Sequence, residues 1–428
     1  MKNQLKKILE KILFILARAI LKKYQPKVIG ITGSIGKSSA KEAVYAVLKD
    51  NFRVRTNIKN YNNEIGLPLT IIGEKSPGAD FWGWAKVFGR ALSLIFKTDS
   101  KYPEILILEM GSDRAGDLKH LTDLAPADIG IVTNVSPVHL ESFKTLEKIA
   151  KEKSTLVTRL KPGGWGLLNG DSEKVYEMKN VVKGRFLVYG FKPDAQIKAL
   201  ESDLSYRGDK ISGLSFKLSY NGAVVPVFLP DVLADHLVYA AMAAAGVGII
   251  LEMNLLQIAE ALHNFVPPKG RMHLLDGVKG SKIIDDTYNA SPEATVAAVG
   301  TLAKVESNGR KIAVLGDMLE LGDYEKKGHQ AVGEAVAKAG IELLVVVGDR
   351  AKMIANAAIS NGYAGEVKFF LNSIEAGDYL LNAVKAGDLI LVKGSQGMRM
   401  ERVSKALLAE PERVGELLVR QDDDWLNR

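Results

Sequence analysis

Residues 30–42 read Gly30-Ile31-Thr32-Gly33-Ser34-Ile35-Gly36-Lys37-Ser38-Ser39-Ala40-Lys41-Glu42, and they put a phosphate cradle near the front of the chain. The apolar run Val28 to Ile31 predicts a buried strand. A glycine-rich turn follows, then a helical pattern through Ala43, Val44, Val47 and Leu48. Glycines let the backbone come close to an anion, and the N–H groups and dipole of the helix start favour negative charge there. Lys37 can reach the β/γ-phosphates, and the Ser38 hydroxyl can serve Mg²⁺. Gly33, Ser34, Gly36, Lys37, Ser38 and Ser39 are therefore the candidate nucleotide-binding residues. The strict motif needs a glycine five residues before Gly36, where Ile31 stands. The competing reading is a glycine-rich strand-to-helix turn with no ligand.

Working outward, 428 residues allow about two to four domains. Hydrophobic residues at 47% and charged ones at 25% fit a soluble globular chain with a real core. Zero cysteines exclude disulfides, a thiolate nucleophile and zinc–cysteine ribbons, and fit a reducing, cytoplasmic compartment. The net charge of +7 suits anionic partners such as nucleotides or a membrane surface. No aromatic-rich basic stripe points to nucleic acid.

Residues 2–23 predict one basic amphipathic helix with Leu5, Ile8, Leu9, Ile12, Leu13, Leu16, Ala19 and Ile20 on its apolar side. Its longest apolar run, Ile12 to Ala17, is too short to span a bilayer. It either lies on a membrane surface or packs on the protein body. Residues 81–96, with Trp82 and Trp84, pose the same choice. Strands Ile105–Leu108 and Ile129–Thr133 end in Glu109 and Asn134, where open α/β sheets bind ligands. Residues 186–229 predict antiparallel hairpins, and Val266-Pro267-Pro268-Lys269-Gly270 a linker. Strands at 283–285, 312–315, 343–347, 367–370 and 389–392 alternate with helices, the pattern of a second doubly wound α/β unit. The expected fold is α/β: an amphipathic helix (1–26), a central P-loop ATPase domain (27–268) and a Rossmann-like C-terminal domain (269–428).

Four stretches resemble the Mur ligase family: ITGSIGKSSAKE, NYNNEIGLPLT, EMGSDRAGDL with TNVSPVHLESF, and DDTYNASPEA with GDMLELG and VKGSQGMRME. They are similar in particular to the branch that adds D-alanyl-D-alanine to a muramyl tripeptide. The resemblance implies a monomeric, ATP-dependent amide ligase that works through an acyl phosphate, uses two Mg²⁺ ions, and takes a small carboxylate acceptor and an amine or dipeptide. It implies Lys37 on the transferring phosphate, Ser38 and Glu109 on one Mg²⁺, and His139 on a second. The family's carbamylated lysine matches Lys153 through the spacing Ala150-Lys151-Glu152-Lys153. By the same resemblance Asp286 binds the ribose, Asn289 faces ATP or substrate, and Arg271 reaches phosphate when the domains close. Asn62 and Asn63 belong to the substrate loop, and Lys393, Gly394 and Ser395 to the amine site.

The chain also departs from the family. The adenine helix of the family reads His-Asn-x-x-Asn, and here it is His236-Leu237-Val238-Tyr239-Ala240. Lys-Gly-Ser-Arg becomes Lys393-Gly394-Ser395-Gln396. Only 26 residues precede Lys27, where the family has a UDP-holding domain, so the expectation is a lipid-linked or simplified acceptor. Two other readings stay open: a ligase that extends another polymer, like the polyglutamate-forming relatives, and a non-catalytic nucleotide-binding protein at the membrane.

Overall fold

The computed structural model describes residues 2–57, 61–137, 140–208, 210–422 and 425. The strand before the glycine turn, β1 (Lys27–Thr32), is buried on both faces from Val28 onward. Its unbroken apolar run is what an interior parallel strand requires. Around it lie β2 (Val54–Thr56), β3 (Ile105–Glu109), β4 (Ile129–Val132), β5 (Trp165–Asn169) and β6 (Arg185–Gly190). The sheet is completed by β7 (Ile197–Arg207), β8 (Lys210–Tyr220) and β9 (Ala223–Pro230), in the order β2-β3-β1-β4-β5-β6-β7-β8-β9.

The first seven strands run parallel, and β7, β8 and β9 form an antiparallel meander. The hairpins expected over 186–229 hold only from β7 onward. Residues Leu187, Val188 and Tyr189 are all buried, so β6 is an interior parallel strand rather than a half-solvated one.

The second sheet holds β10 (His273–Asp276), β11 (Lys282–Asp286), β12 (Lys311–Gly316), β13 (Leu343–Val347), β14 (Glu366–Phe370) and β15 (Leu389–Lys393). Its order is β10-β11-β15-β12-β13-β14, parallel except where β10 pairs antiparallel with β11. Two wound α/β sheets with ligand-grade residues at their strand ends make the α/β architecture the sequence predicts.

The helix Lys2–Tyr24 buries Leu13, Ala17 and Ile20 against Leu67, Leu69, Val87, Ala91 and Leu94. The helix Phe81–Phe96 buries Val87, Ala91 and Leu94 in the same cluster. Packing on the body therefore accounts for one face of each helix. Among the described residues no helix is long and apolar enough to cross a membrane.

Candidate functional site

At the end of β1 the chain turns sharply. Gly33 has φ +149°, and a Cβ there would lie 2.0 Å from Thr133 Oγ1 and 3.0 Å from the Asn134 nitrogen. Gly36 has φ 86° and stands in the left-handed region just before the helix Lys37–Leu48. Both positions favour glycine, the first also because β4's end presses against it. The Ser34 N–H donates to the Asn134 carbonyl at 2.8 Å, and Thr133 Oγ1 donates to the Ile35 carbonyl at 2.6 Å. The turn is thus clamped by the end of β4, with its glycines left open to a ligand.

Lys37 Nζ donates to the Gly33 carbonyl at 2.7 Å, curled back over the turn. Burial pushes its ammonium below the ordinary lysine range, and Glu109 opposes that shift. Ser38 Oγ donates to Glu109 Oε2 at 3.0 Å, and Asn62 Nδ2 lies 3.4 Å from Glu109 Oε1. Glu109 is buried at the end of β3. Asn63 does not reach this carboxylate. Its Oδ1 accepts from the Gly66 N–H at 2.9 Å and shapes the start of the next helix.

Lys37 and Lys153 line one polar cleft of ≈ 480 Å³, together with Ser34, Asn62, Asn63 and Asp113. Lys153 Nζ donates to Ser112 Oγ at 2.8 Å and is buried. Its ammonium is pushed down to about 7, first by burial and then by the nearby Lys37 charge. Its neighbour Glu152 is turned away. That carboxylate accepts from the Gly116 and Leu118 N–H groups at 2.9 and 2.8 Å and caps the helix Asp117–Leu124. His139 lies outside the described residues.

A second cavity, ≈ 230 Å³, opens on the other side of the turn and reaches the second sheet. Ile35, Gly36 and Ser39 face Asn134, Tyr239 and Asp286 across it. Asp286 Oδ2 accepts from Lys393 Nζ at 2.7 Å, and both groups are buried. Lys393 Nζ also donates to the Asn289 carbonyl at 2.9 Å, while Asn289 Oδ1 accepts from the Gln396 N–H at 3.3 Å. Burial holds His236 below the ordinary imidazole range, against the pull of Asp286.

Arg271 lies over the Tyr288 ring at 4.3 Å and lines this cavity from the linker side. Lys393 therefore stands with Asp286 rather than in the cleft with Lys37 and Lys153. Ser395 Oγ accepts from the Leu319 N–H at 2.8 Å, which spends that lone pair on the neighbouring loop.

Sequence reasoning missed Asn169, Asp171 and Tyr239. Asp171 Oδ2 accepts from Tyr239 Oη at 3.0 Å, and all three residues line this second cavity. The signal that would have found Asn169 is the strand-end rule applied to β5.

The donor set bears on Mg²⁺. Among the described residues no group of three or more His, Asp or Glu side chains could hold a metal. Mg²⁺ keeps several waters and is commonly held by one or two protein oxygens plus substrate phosphate, so a carboxylate and a hydroxyl suffice for it. Ser38 and Glu109 are such a pair, already 3.0 Å apart.

Known proteins place these features in context. The Mur ligase middle domain matches residues 91–248, and the Mur ligase, glutamate ligase domain matches residues 270–396. The UDP-N-acetylmuramoyl-tripeptide–D-alanyl-D-alanine ligase of Bacillus subtilis (strain 168) is 30% identical over 396 residues, covering 92% of this chain and 79% of its own. The enzyme of the same name from Escherichia coli (strain K12) is 28% identical over 394 residues, covering 92% and 79%. The crystal structure of MurF ligase from Thermotoga maritima in complex with ADP matches with TM-score 0.76 and 26% identity, over 95% of this chain and 84% of that one.

Proposed function

This chain belongs to the Mur ligase family and is an ATP-dependent ligase, and from that premise we propose that it joins D-alanyl-D-alanine, or a closely similar amine, to a peptidoglycan-precursor carboxylate. The observation that carries the reading is the shared cleft. Lys37, at the phosphate turn, and Lys153, on the helix Leu146–Thr158, line one polar space beside the Ser38–Glu109 pair.

In this reading the acceptor carboxylate enters that cleft, and one of its oxygens attacks the γ-phosphorus of ATP. ADP leaves, and the product is an acyl phosphate. The amine then attacks the acyl carbon, phosphate departs with the C–O electron pair, and the nitrogen gives up a proton. Phosphoryl transfer depends mainly on position and charge neutralisation. Lys37 supplies the charge at the transferring group, and the glycine turn supplies backbone N–H donors. Asp286 and the cavity around His236 and Tyr239 hold the nucleoside side of ATP. Arg271 faces the same space from the linker, and Asn289 lies beside it.

Ser38 and Glu109 would hold one Mg²⁺. His139 and a carbamylated Lys153 would hold a second. When bound, these ions would neutralise phosphate charge. A lysine with its ammonium pushed down to about 7 is partly neutral at physiological pH, and a neutral amine is what reacts with CO₂. The enzyme's need for ATP supports a cytoplasmic location for the reaction.

The test is phosphate release from ATP with a panel of precursor carboxylates and dipeptides, with product masses read directly. Phosphate release that needs both substrates, with a product heavier by one D-alanyl-D-alanine minus water, supports the reading. ATP turnover that adds glutamate instead would assign the chain to a polymer-extending role. No turnover with any pair would sink the ligase substrate assignment.

A further inference from the structure

The helix Lys2–Tyr24 has three faces rather than two. Leu13, Ala17 and Ile20, spaced i, i+4, i+7, are buried against the body. Ile8, Ile12 and Ile15 share the same spacing but stay 57%, 42% and 57% exposed. Lys11, Arg18 and Lys22, with Lys7, form a third, exposed stripe. At 3.6 residues per turn the apolar stripe falls between the basic stripe and the buried one.

The helix Phe81–Phe96 also leaves large apolar side chains outside, though its two basic residues, Lys86 and Arg90, are paired with Glu74 and Asp99. Its inner face is buried, while Phe81, Trp82 and Phe96 are 75%, 78% and 80% exposed. The two helices are locked together at one end. Lys23 Nζ donates to the carbonyls of Leu94, Ile95 and Lys97 at 3.0, 3.0 and 2.8 Å, and Tyr24 Oη donates to the Leu94 carbonyl at 3.1 Å. Body packing uses neither outer stripe.

We infer that the two outer stripes form one docking face for an anionic lipid surface, so that the protein lies on a membrane without crossing it. Exposed isoleucines beside a row of lysines and an arginine, with exposed Phe81, Trp82 and Phe96 on the neighbouring helix, match what an interfacial surface needs: apolar side chains for the acyl boundary and cations for the headgroups. Charge decides against a second copy of this chain as the occupant. A two-fold contact would bring the Lys7, Lys11, Arg18 and Lys22 stripes of both copies together, whereas an anionic surface neutralises them.

The experiment is flotation of the full chain with vesicles of phosphatidylcholine plus phosphatidylglycerol, and with phosphatidylcholine alone. Binding to the anionic vesicles is expected, weakened by salt because screening acts on the lysines. The variant Ile8→Ser/Ile12→Ser/Ile15→Ser should bind at least about tenfold more weakly. Lys7→Gln/Lys11→Gln/Arg18→Gln/Lys22→Gln should lose the preference for anionic lipid. All these side chains are exposed, so both variants should melt like the parent, and a melting scan checks it.

No flotation at low salt overturns the inference, as does equal flotation of the triple-isoleucine variant. A concentration-dependent dimer that replaces vesicle binding gives the face to a second copy and also overturns it. The assay reads binding alone, so its failure leaves the ligase reading standing.

Discussion

Lys153 Nζ reaches Ser112 Oγ at 2.8 Å inside the cleft, while Lys151, two residues earlier on the same helix, is exposed to solvent. Positions i and i+2 on a helix point to different faces, so only one of the two amines can serve the site. Lys153→Ala should therefore lose most turnover, about 10²–10³-fold if the group stabilises developing charge. Added formate or acetate should restore part of it by supplying the missing carboxylate. Lys151→Ala should stay near the parent rate. Steady-state phosphate release decides, and the reverse pattern would sink the assignment.

The same residue predicts a pH effect. Its ammonium ionises at about 7 in the folded chain, against an ordinary value of 10.5. Between those values the unfolded chain binds more protons at this site, so Lys153 makes stability rise with pH across that window. Below pH 7 both states hold the proton and the full penalty of the buried charge applies. Denaturant melts of parent and Lys153→Met should show a pH-dependent difference that closes as pH rises from about 7 toward 10. A difference that does not change with pH would show that Lys153 is an ordinary lysine.

These two residues also show what the sequence made legible. The phosphate turn could be read because glycine, lysine and serine at that spacing have few other uses between a strand and a helix. Choosing Lys153 over Lys151 needed the family spacing, since both are helix lysines and burial is invisible in one sequence. β6 was misread because its neighbours carry glycines and short alternations, and only its burial on both faces marks it as interior. β5 was missed for a related reason: Gly163, Gly164 and Gly166 dilute its apolar run. The cavity with Tyr239 and Asp171 was not legible, because those residues lie 68 positions apart and meet only through the order of the strands.

Lys37→Ala should lower ATP turnover about 10²–10³-fold with the fold intact. The amine sits over the turn and makes one short bond to the Gly33 carbonyl, so its loss should cost stability only about 1 kcal/mol. Its loss from the transferring phosphate should cost about 3–4 kcal/mol of transition-state stabilisation. Turnover and melting temperature measured together separate the two effects. Parent-like turnover in a folded Lys37→Ala protein would refute the site.

Asp286 and Lys393 form a buried pair at 2.7 Å. Removing one partner should destabilise the fold by about 3–5 kcal/mol, because it leaves an uncompensated charge. Asp286→Asn/Lys393→Met should recover much of that loss, since no charge is then stranded. Nucleotide affinity should not recover in the double variant if Asp286 serves the ribose. Recovery of affinity along with stability would make the pair structural only.

Ala240 lines the cavity proposed for the nucleoside, while Leu237, on the same helix, is buried in the core. By the family resemblance both positions carry asparagines that reach adenine. An asparagine at 240 would thus face the base, and one at 237 would be buried among apolar side chains. The present site offers adenine no side-chain amide from this helix, so discrimination of ATP from GTP should be modest. Ala240→Asn should raise it, by about tenfold if one good hydrogen bond of roughly 1–1.5 kcal/mol is added. Leu237→Asn should instead destabilise the fold, because a polar group without a partner in a packed core costs about 1–3 kcal/mol. Competition binding with the two nucleotides, beside a denaturant melt of each variant, checks both. If Ala240→Asn leaves the ATP-to-GTP ratio unchanged, the base does not lie against this helix, and the cavity holds another part of the substrate.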